Sequence, residues 1–218
     1  MNHSFSQMTK RSIRSLTAAY FIFLLILFAG SCSSYTPEEE ALIAEIQQQR
    51  AEKDQDFKAD PNSPLLAEDK TDFAGLKYYP IDLNLRFEGP IVRYDSLVPD
   101  TIIGTKGDLR PAVKYGYFPF EYRGETYRLQ IFKILRDNPA YQKYLFLGFT
   151  DQTGGTETYG GGRYIDLVEN DENHYVIDFN QAYNPWCAYN PNYSCAIPSK
   201  ENRLSFAVTA GEKNFKAH

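Results

Sequence analysis

The sequence predicts a mainly β protein, an antiparallel β-sandwich or barrel of about nine strands with one N-terminal amphipathic helix packed outside it. Aromatic residues make up 15% of the 218 residues, with 17 Tyr and 15 Phe, and aromatic rings pack well on pleated strands. From Phe73 onward apolar and polar residues alternate, as in the segment 81–87, which is typical of half-buried strands. Turn-forming residues separate these runs at short intervals, and this spacing favours a sandwich or a barrel.

The N-terminal segment has the layout of a secretory signal peptide. A continuous apolar run over 20–30 follows three basic residues and is shorter than an ordinary transmembrane helix. The ending Ala29-Gly30-Ser31-Cys32 resembles the lipobox of bacterial lipoproteins, in which the cysteine is acylated and becomes the first residue of the mature chain. We therefore expect residues 1–31 to form the signal peptide and Cys32 to carry a lipid. The alternative is a soluble secreted protein with a chance cysteine near its cleavage site.

Lipidation of Cys32 predicts a location in the cell envelope, at the periplasmic or outer-membrane face, with the chain anchored to the membrane but not spanning it. Loss of the signal peptide removes three of the 23 basic residues and none of the 28 acidic ones, which leaves 20 against 28 and a formal charge of −8. An acidic surface repels phosphate groups, so we expect no nucleic-acid partner and no membrane contact beyond the lipid anchor.

The predicted mature chain begins with a tether over residues 32–36, followed by a helix. Thr36 is placed as an N-cap, a proline occupies the first helical position, and Glu39 closes a capping box. The helix is predicted over 37–58, and it ends before Pro61 because the residue ahead of a proline avoids helical geometry.

Strand-like segments follow the helix, and they are predicted to build one domain over 37–218. The sequence contains no internal repeat and no low-complexity linker that would divide it. The predicted strands lie over 81–87, 91–95, 100–105, 112–121, 126–135, 143–149, 163–168, 174–179 and 204–209.

One segment, Asp178 to Cys195, is unlike the predicted strands and reads DFNQAYNPWCAYNPNYSC. It contains the one Trp of the chain and two of its three Cys. Its proline and asparagine residues suit neither a helix nor a strand interior, yet its aromatic side chains carry too much apolar area to lie in solvent. We therefore expect an ordered loop folded over the protein body, and such loops often carry binding or catalytic groups.

The motifs TYGGGRYIDL, DFNQAYNPWCAYNPNYSCAIP, KENRL and AGEK resemble those of an uncharacterised bacterial and archaeal family, catalogued as a domain of unknown function. The resemblance covers essentially residues 38–213, and the chain departs from the pattern at 196–199, where the family has a more proline-rich run. The resemblance implies a mostly β fold and no assigned activity. It supports the location of a site without supplying a function.

A candidate site follows from the last two predicted strands before the loop. If they form a hairpin in which Glu169 pairs with His174, Arg163 and Asp178 lie diagonally across the pair on its core face. A charge on a core face must be paired or reach solvent. We therefore predict an Arg163–Asp178 contact at the open end of the sheet, beneath the loop. The other candidate ligand-binding residues are Asn180 and Asn184 beside this pair, together with Tyr159, Tyr189, Asn202, Arg203 and Glu212.

Three functions remain open for these residues. The favoured one is a binding or accessory module for a polar small molecule or sugar, because rings stack on ligand faces while amides fix polar groups. The second is a hydrolase that uses a carboxylate of the Arg163/Asp178 cluster, with a partner among Glu157, Glu201 and Glu212. The third is a purely structural network that ties the loop to the sheet. No catalytic residue can be named, no cofactor is expected, and the prediction leans away from an enzyme.

The two cysteines of the loop are predicted to form a disulfide, since an oxidising compartment favours the bond and eight residues of Asn- and Pro-rich chain can double back. The alternative is a pair of reduced, buried thiols. Metal binding by Cys187 and Cys195 is not expected, because a structural zinc needs four ligands at short paired spacings.

The lipoprotein hypothesis predicts that Cys32→Ser moves the protein from the membrane fraction to the soluble fraction, because the residue that carries the lipid is lost. Fractionation of cells that express each form measures the change. Unchanged membrane partition of the variant would contradict lipidation at Cys32.

Overall fold

The computed structural model describes residues 35–216, so the predicted signal peptide, Cys32 and most of the tether lie outside the described residues. The chain forms two compact units, and the boundary between them lies between residues 41 and 42. In the first unit the Glu39 N–H donates to the Thr36 hydroxyl at 3.2 Å, and the Thr36 N–H donates to the Glu39 carboxylate at 2.8 Å. The predicted capping box is therefore confirmed. Within 35–216 no helix is both long enough and apolar enough to cross a membrane.

Helix α1 spans Pro37–Ala59, one residue longer than predicted. Its buried residues in the second unit are Ile46 and Phe57, and the half-buried Arg50 and Lys53 lie between them on the same side of the helix. The helix therefore presents two cations, rather than a continuous apolar stripe, to the protein. A second helix, α2, covers Ala67–Thr71.

Within residues 35–216, seven strands build two antiparallel sheets, which confirms the mainly β prediction. The strands are β1 Arg86–Gly89, β2 Val92–Ile103, β3 Leu109–Tyr122, β4 Glu125–Ile134, β5 Tyr144–Phe149, β6 Arg163–Val168 and β7 Tyr175–Asp178. A five-stranded sheet has the order β2-β3-β4-β5-β6, and β1 pairs with β7 in a separate two-stranded sheet. The larger sheet ends at β2 and β6, so it does not close into a barrel.

The strand count differs from the predicted nine for two reasons. The predicted strands 91–95 and 100–105 are one continuous strand, β2, which pairs with β3 through a register shift between Arg93 and Val98. The segment 204–209 forms no regular strand. The Leu204 N–H donates to the Thr150 carbonyl at 2.8 Å and the Phe206 carbonyl accepts from Gln152 at 3.2 Å, while the side chains of Leu204 and Val208 pack in the core.

The predicted hairpin between the last two strands is wrong. Strand β6 pairs with β5, with Phe149 opposite Arg163, whereas β7 pairs with β1, with Arg86 opposite Asp178. The connecting turn instead directs the chain from one sheet to the other, and Asn173 there has a positive φ of 48°. Strand β6 therefore pairs with the strand before it, and β7 pairs with the much earlier β1, instead of with each other.

The two faces of the five-stranded sheet differ in character. Alternation along β6 places Ile165 and Leu167 in the main core, together with residues of the small sheet such as Ile177. Tyr164 instead belongs to a second cluster on the opposite, outer face, with Phe146 of β5. The site described below is built on this outer face.

The loop that follows β7 crosses this outer face. Near its start Tyr183 and Tyr164 exchange two backbone hydrogen bonds, of 2.9 and 3.0 Å, at the edge of β6. Near its end the Cys195 carbonyl accepts from Thr105 at 2.9 Å, just beyond the end of β2. The prediction of an ordered loop folded over the protein body is confirmed, and segment 183–196 runs between the two edge strands of the sheet.

Candidate functional site

Arg163 is buried, with a relative exposure of 1%, and its partner is Asp151 rather than Asp178. The guanidinium lies 2.9 Å from the Asp151 carboxylate and donates to the carbonyls of Val208 at 2.9 Å, Glu212 at 3.2 Å and Ala210. The predicted Arg163–Asp178 contact is therefore wrong. Because β6 and β7 lie in different sheets, the two side chains are not cross-strand neighbours, and Arg163 instead fixes the C-terminal segment.

Asp178 ends β7 and caps the turn that follows it. Its Oδ1 accepts from the backbone N–H and the side-chain amide of Asn180, each at 2.8 Å, and the Arg86 guanidinium is 3.7 Å from Oδ2. Burial raises the pKa of Asp178 above its usual value, while the hydrogen bonds from Asn180 and the charge of Arg86 oppose that rise.

Asn180 links three segments. Its side-chain oxygen accepts from the Asp82 N–H at 2.8 Å, and its amide donates to the Asp82 carbonyl at 2.9 Å. Its own carbonyl accepts from Arg50 of helix α1 at 3.1 Å. Both the side chain and the carbonyl are thus used within the fold.

Glu212 is the centre of the second part of the predicted cluster. Its carboxylate is 2.6 Å from the Lys53 ammonium, and it accepts from the Asn184 N–H at 2.8 Å and from the Tyr189 hydroxyl. The Asn184 amide donates to the Lys213 carbonyl at 2.9 Å. The structure therefore brings Asn184, Tyr189 and Glu212 together, with the first two hydrogen-bonded to the Glu212 carboxylate.

A small cavity of about 160 Å³ lies beside this cluster. Asn180 and Glu212 line it with Arg50 and Tyr78, and the Arg50 guanidinium lies 4.5 Å from the centre of the Tyr78 ring. Burial is the main cause of the raised pKa of the Tyr78 hydroxyl, so this group remains a neutral donor at physiological pH.

The three remaining predicted residues lie in other surroundings. Buried Asn202 accepts from the Gln130 N–H at 2.6 Å and donates to the carbonyls of Gln130 and Gly148, each at 2.8 Å. It therefore clamps β4 to β5. Arg203 next to it is exposed. The Tyr159 hydroxyl donates to the Cys187 sulfur at 3.6 Å.

The four carboxylates considered for hydrolysis each have their own cationic neighbour. Asp178 lies beside Arg86 and Glu212 beside Lys53, as described above. Glu157 is 3.3 Å from Lys213, and Glu201 contacts Lys114. No group of three potential metal ligands occurs among residues 35–216.

Cys187 and Cys195 are free thiols, so the predicted disulfide is not formed in this structure. The Cys187 N–H donates to the Cys195 sulfur at 3.1 Å. A hydrogen bond from the Cys195 thiol, with a further one from Tyr159, lowers the pKa of Cys187 to about 6. The same hydrogen bond raises the pKa of Cys195. In this structure the two cysteines interact through hydrogen bonds instead of the predicted covalent bond.

A well-lined concavity lies where the loop crosses the outer sheet face, and we call it the aromatic groove. Its volume is about 530 Å³. Aromatic side chains from β5, from β6, from the loop and from the turn before β5 line the groove. They are Tyr141, Tyr144, Phe146, Tyr164, Tyr183, Trp186 and Tyr193. Trp186 is 47% exposed, and its ring meets that of Tyr193 edge-on at 5.0 Å.

Asp166 is the acidic side chain of the aromatic groove. Its Oδ1 accepts hydrogen bonds from the hydroxyls of Tyr144 at 2.8 Å and Tyr183 at 2.7 Å. Burial, and then the charge of Asp166, raise the pKa of both tyrosines, so both remain neutral donors. Asp166 Oδ2 makes no hydrogen bond or ion pair with the residues that the structure describes.

Three cations surround these groups. Lys53 lies 4.6 Å from the centre of the Tyr183 ring, and Arg136 lies 4.7 Å from the centre of the Tyr141 ring. Arg110 donates to the Ser194 carbonyl at 2.7 Å and to Asp108 at 2.8 Å. Arg110 therefore helps to position the loop, whereas the other two cover ring faces.

Sequence reasoning missed this groove because it treated the aromatic residues of the strands as core material. A signal was present in the alternation of β5 and β6. Tyr144 and Phe146 alternate with buried Leu145 and Leu147, so aromatic rather than charged residues occupy the second face. A sheet face with this composition needs a cover, and the loop supplies it.

The fold and the groove define a mainly β domain whose outer sheet face is covered by a long aromatic loop. A family model described as "Protein of unknown function (DUF1684)" matches residues 71–213, and the chain belongs to this family. The solution NMR structure of an uncharacterized protein from Haloarcula marismortui is similar, with 32% sequence identity and a TM-score of 0.62 over 83% of this chain and 98% of that chain. None of the curated proteins matches the chain.

Replacement of Arg163 by Met tests whether this side chain is an anchor or a ligand group. We expect the free energy of unfolding to fall by about 3–5 kcal/mol, because Asp151 is left as an unpaired buried charge. Urea denaturation measures the change. The exposed Arg203→Met variant is the control, with an expected change within about 0.5 kcal/mol. A folded Arg163→Met protein of unchanged stability would refute the anchor role.

The thiol pair predicts an unusual pH profile for alkylation of Cys187. With iodoacetamide the midpoint should lie near pH 6, since the thiolate is the reactive form. Cys195→Ala removes the thiol donor, so the midpoint should move toward the ordinary value of about 8.5. Mass spectrometry of the alkylated peptides follows the reaction. An unchanged midpoint, or a peptide linked by a 187–195 disulfide in unreduced protein, would contradict the thiol pair.

Proposed function

We propose that this protein is a cell-envelope lipoprotein that binds a polar small molecule, and specifically a saccharide, in its aromatic groove. The positively charged N-terminal segment, the apolar run and Cys32 support the envelope location. The volume of about 530 Å³ lies within the range of small-molecule sites.

Asp166 is the observation that carries the proposal. Two tyrosine hydroxyls hold one of its carboxylate oxygens, so the side chain is fixed before any ligand arrives, and the second oxygen remains available as an acceptor. Sugar hydroxyls are donors that such a carboxylate can bind. The exposed ring of Trp186 offers an apolar surface on which the C–H face of a sugar can pack.

The lining of the groove favours binding over hydrolysis. Glycosidases use two carboxyl groups on either side of the scissile bond, roughly 5–10 Å apart. Among the described residues that line the groove, Asp166 is the one acidic side chain. A purely structural role accounts for the network around Arg163 and Glu212, but it does not account for an open, aromatic-lined groove on the other face of the sheet.

Binding can be measured directly, because the single Trp of the chain lies in the groove. Saccharides titrated into the purified full-length protein in detergent should change Trp186 fluorescence in a saturable manner. Asp166→Asn should weaken the affinity about tenfold, since a hydrogen bond to a charged group contributes about 1.5–3 kcal/mol. Asp171→Asn, in an exposed turn outside the groove lining, is the charge-matched control. No saturable response from any neutral or acidic saccharide, or equal affinities of the two variants, would refute the proposal.

A further inference from the structure

Three cationic side chains line the groove of a chain that is acidic as a whole. The full chain has a formal net charge of −5, yet the groove is lined by Lys53, Arg110 and Arg136 against the one carboxylate of Asp166. Clefts lined by one sign of charge concentrate ligands of the opposite sign. The effect of these three cations on a ligand depends on which of them are already paired with carboxylates of the chain.

Only one of these cations is uncommitted within residues 35–216. Lys53 is paired with Glu212 at 2.6 Å, and Arg110 is paired with Asp108 at 2.8 Å. The exposed Arg136 guanidinium has no ion pair or hydrogen bond with the described residues, but it lies over the Tyr141 ring. A guanidinium that lies over a ring keeps its edge N–H groups available, and those groups match a carboxylate in a two-pronged contact.

The uncommitted cation and the uncommitted carboxylate oxygen are linked by neighbouring tyrosines. Arg136 stacks on Tyr141, whose ring centre is 6.3 Å from that of Tyr144. Tyr144 in turn binds Asp166. A ligand that spans this short path can place hydroxyl groups at Asp166 and an acidic group at Arg136.

A cationic ligand fits the groove poorly. Aromatic cages bind ammonium groups through open ring faces, but Lys53 and Arg136 lie over the Tyr183 and Tyr141 rings. A neutral sugar would use Asp166 and Trp186 but would leave Arg136 unused.

We propose that the ligand of the aromatic groove is an acidic saccharide of the uronic-acid class, with Asp166 accepting from its hydroxyls and Arg136 binding its carboxylate. This inference rests on the saccharide-binding function proposed above and adds the charge of the ligand. It makes Arg136 the residue that determines specificity between acidic and neutral sugars.

The test compares two probes with the same sugar backbone, a trimer of galacturonic acid and its fully methyl-esterified, uncharged form. Trp186 fluorescence of the full-length protein measures both affinities. The acid should bind about tenfold more tightly than the ester, the effect of one charge-assisted contact, and added salt should reduce this preference. Arg136→Gln should lower the affinity for the acid about tenfold, to that for the ester.

Arg128→Gln is the matched control, because Arg128 is also exposed and also lies over a tyrosine ring, that of Tyr117, at 5.8 Å, but does not line the groove. This variant should keep the preference for the acid. Equal affinities of acid and ester in the unmodified protein would overturn the acidic-sugar inference while the saccharide-binding function stands. A preference that persists in Arg136→Gln would also overturn it. Inorganic phosphate competing as well as the trimer would assign the site to simple anions, and failure of both trimers and of every other saccharide to bind would overturn both proposals.

Discussion

The buried guanidinium of Arg163 is the interaction on which the rest of the structure depends. Its carbonyl acceptors are Val208, Ala210 and Glu212 of the C-terminal segment, and its charge is balanced by Asp151. A charge this deeply buried is tolerable only when its donors are nearly all used. The donors of the Arg163 guanidinium therefore find their acceptors in one position of the C-terminal segment. This position also fixes where the Glu212 side chain lies.

Glu212 transmits that constraint to the loop and to the helix. One carboxylate receives Lys53 from α1 and, from the loop, the Tyr189 hydroxyl and the Asn184 N–H. Lys53 then lies over the ring of Tyr183, which binds Asp166 in the groove. The network on one side of the sheet thus positions side chains of the site on the other side. A site fixed in this way loses little conformational entropy when a ligand binds, which favours affinity.

Sequence patterns correctly predicted the features that depend on neighbouring residues. The predictions failed where strands or side chains have partners elsewhere in the chain. The capping box, the ends of α1 and the residues of β6 depend on neighbours in the chain, and the structure confirms them. The hairpin prediction assumed that a short turn joins paired strands, but Arg163 and Asp178 found partners in β5 and β1 instead. The cations on the inner side of α1 were unpredictable for the same reason, because their partners, such as Glu212, lie more than 150 residues away.

The location of the groove follows from the alternation of a single strand. In β6 the residues Arg163, Ile165 and Leu167 point to the core, and Tyr164 and Asp166 point outward. The outer face would normally be polar in a sheet with one solvated side. Here it is aromatic, and the loop that pairs with β6 through Tyr183 covers part of it while leaving Asp166 accessible. The chain thus uses one strand to hold its structure together with odd-numbered residues and to present a site with even-numbered ones.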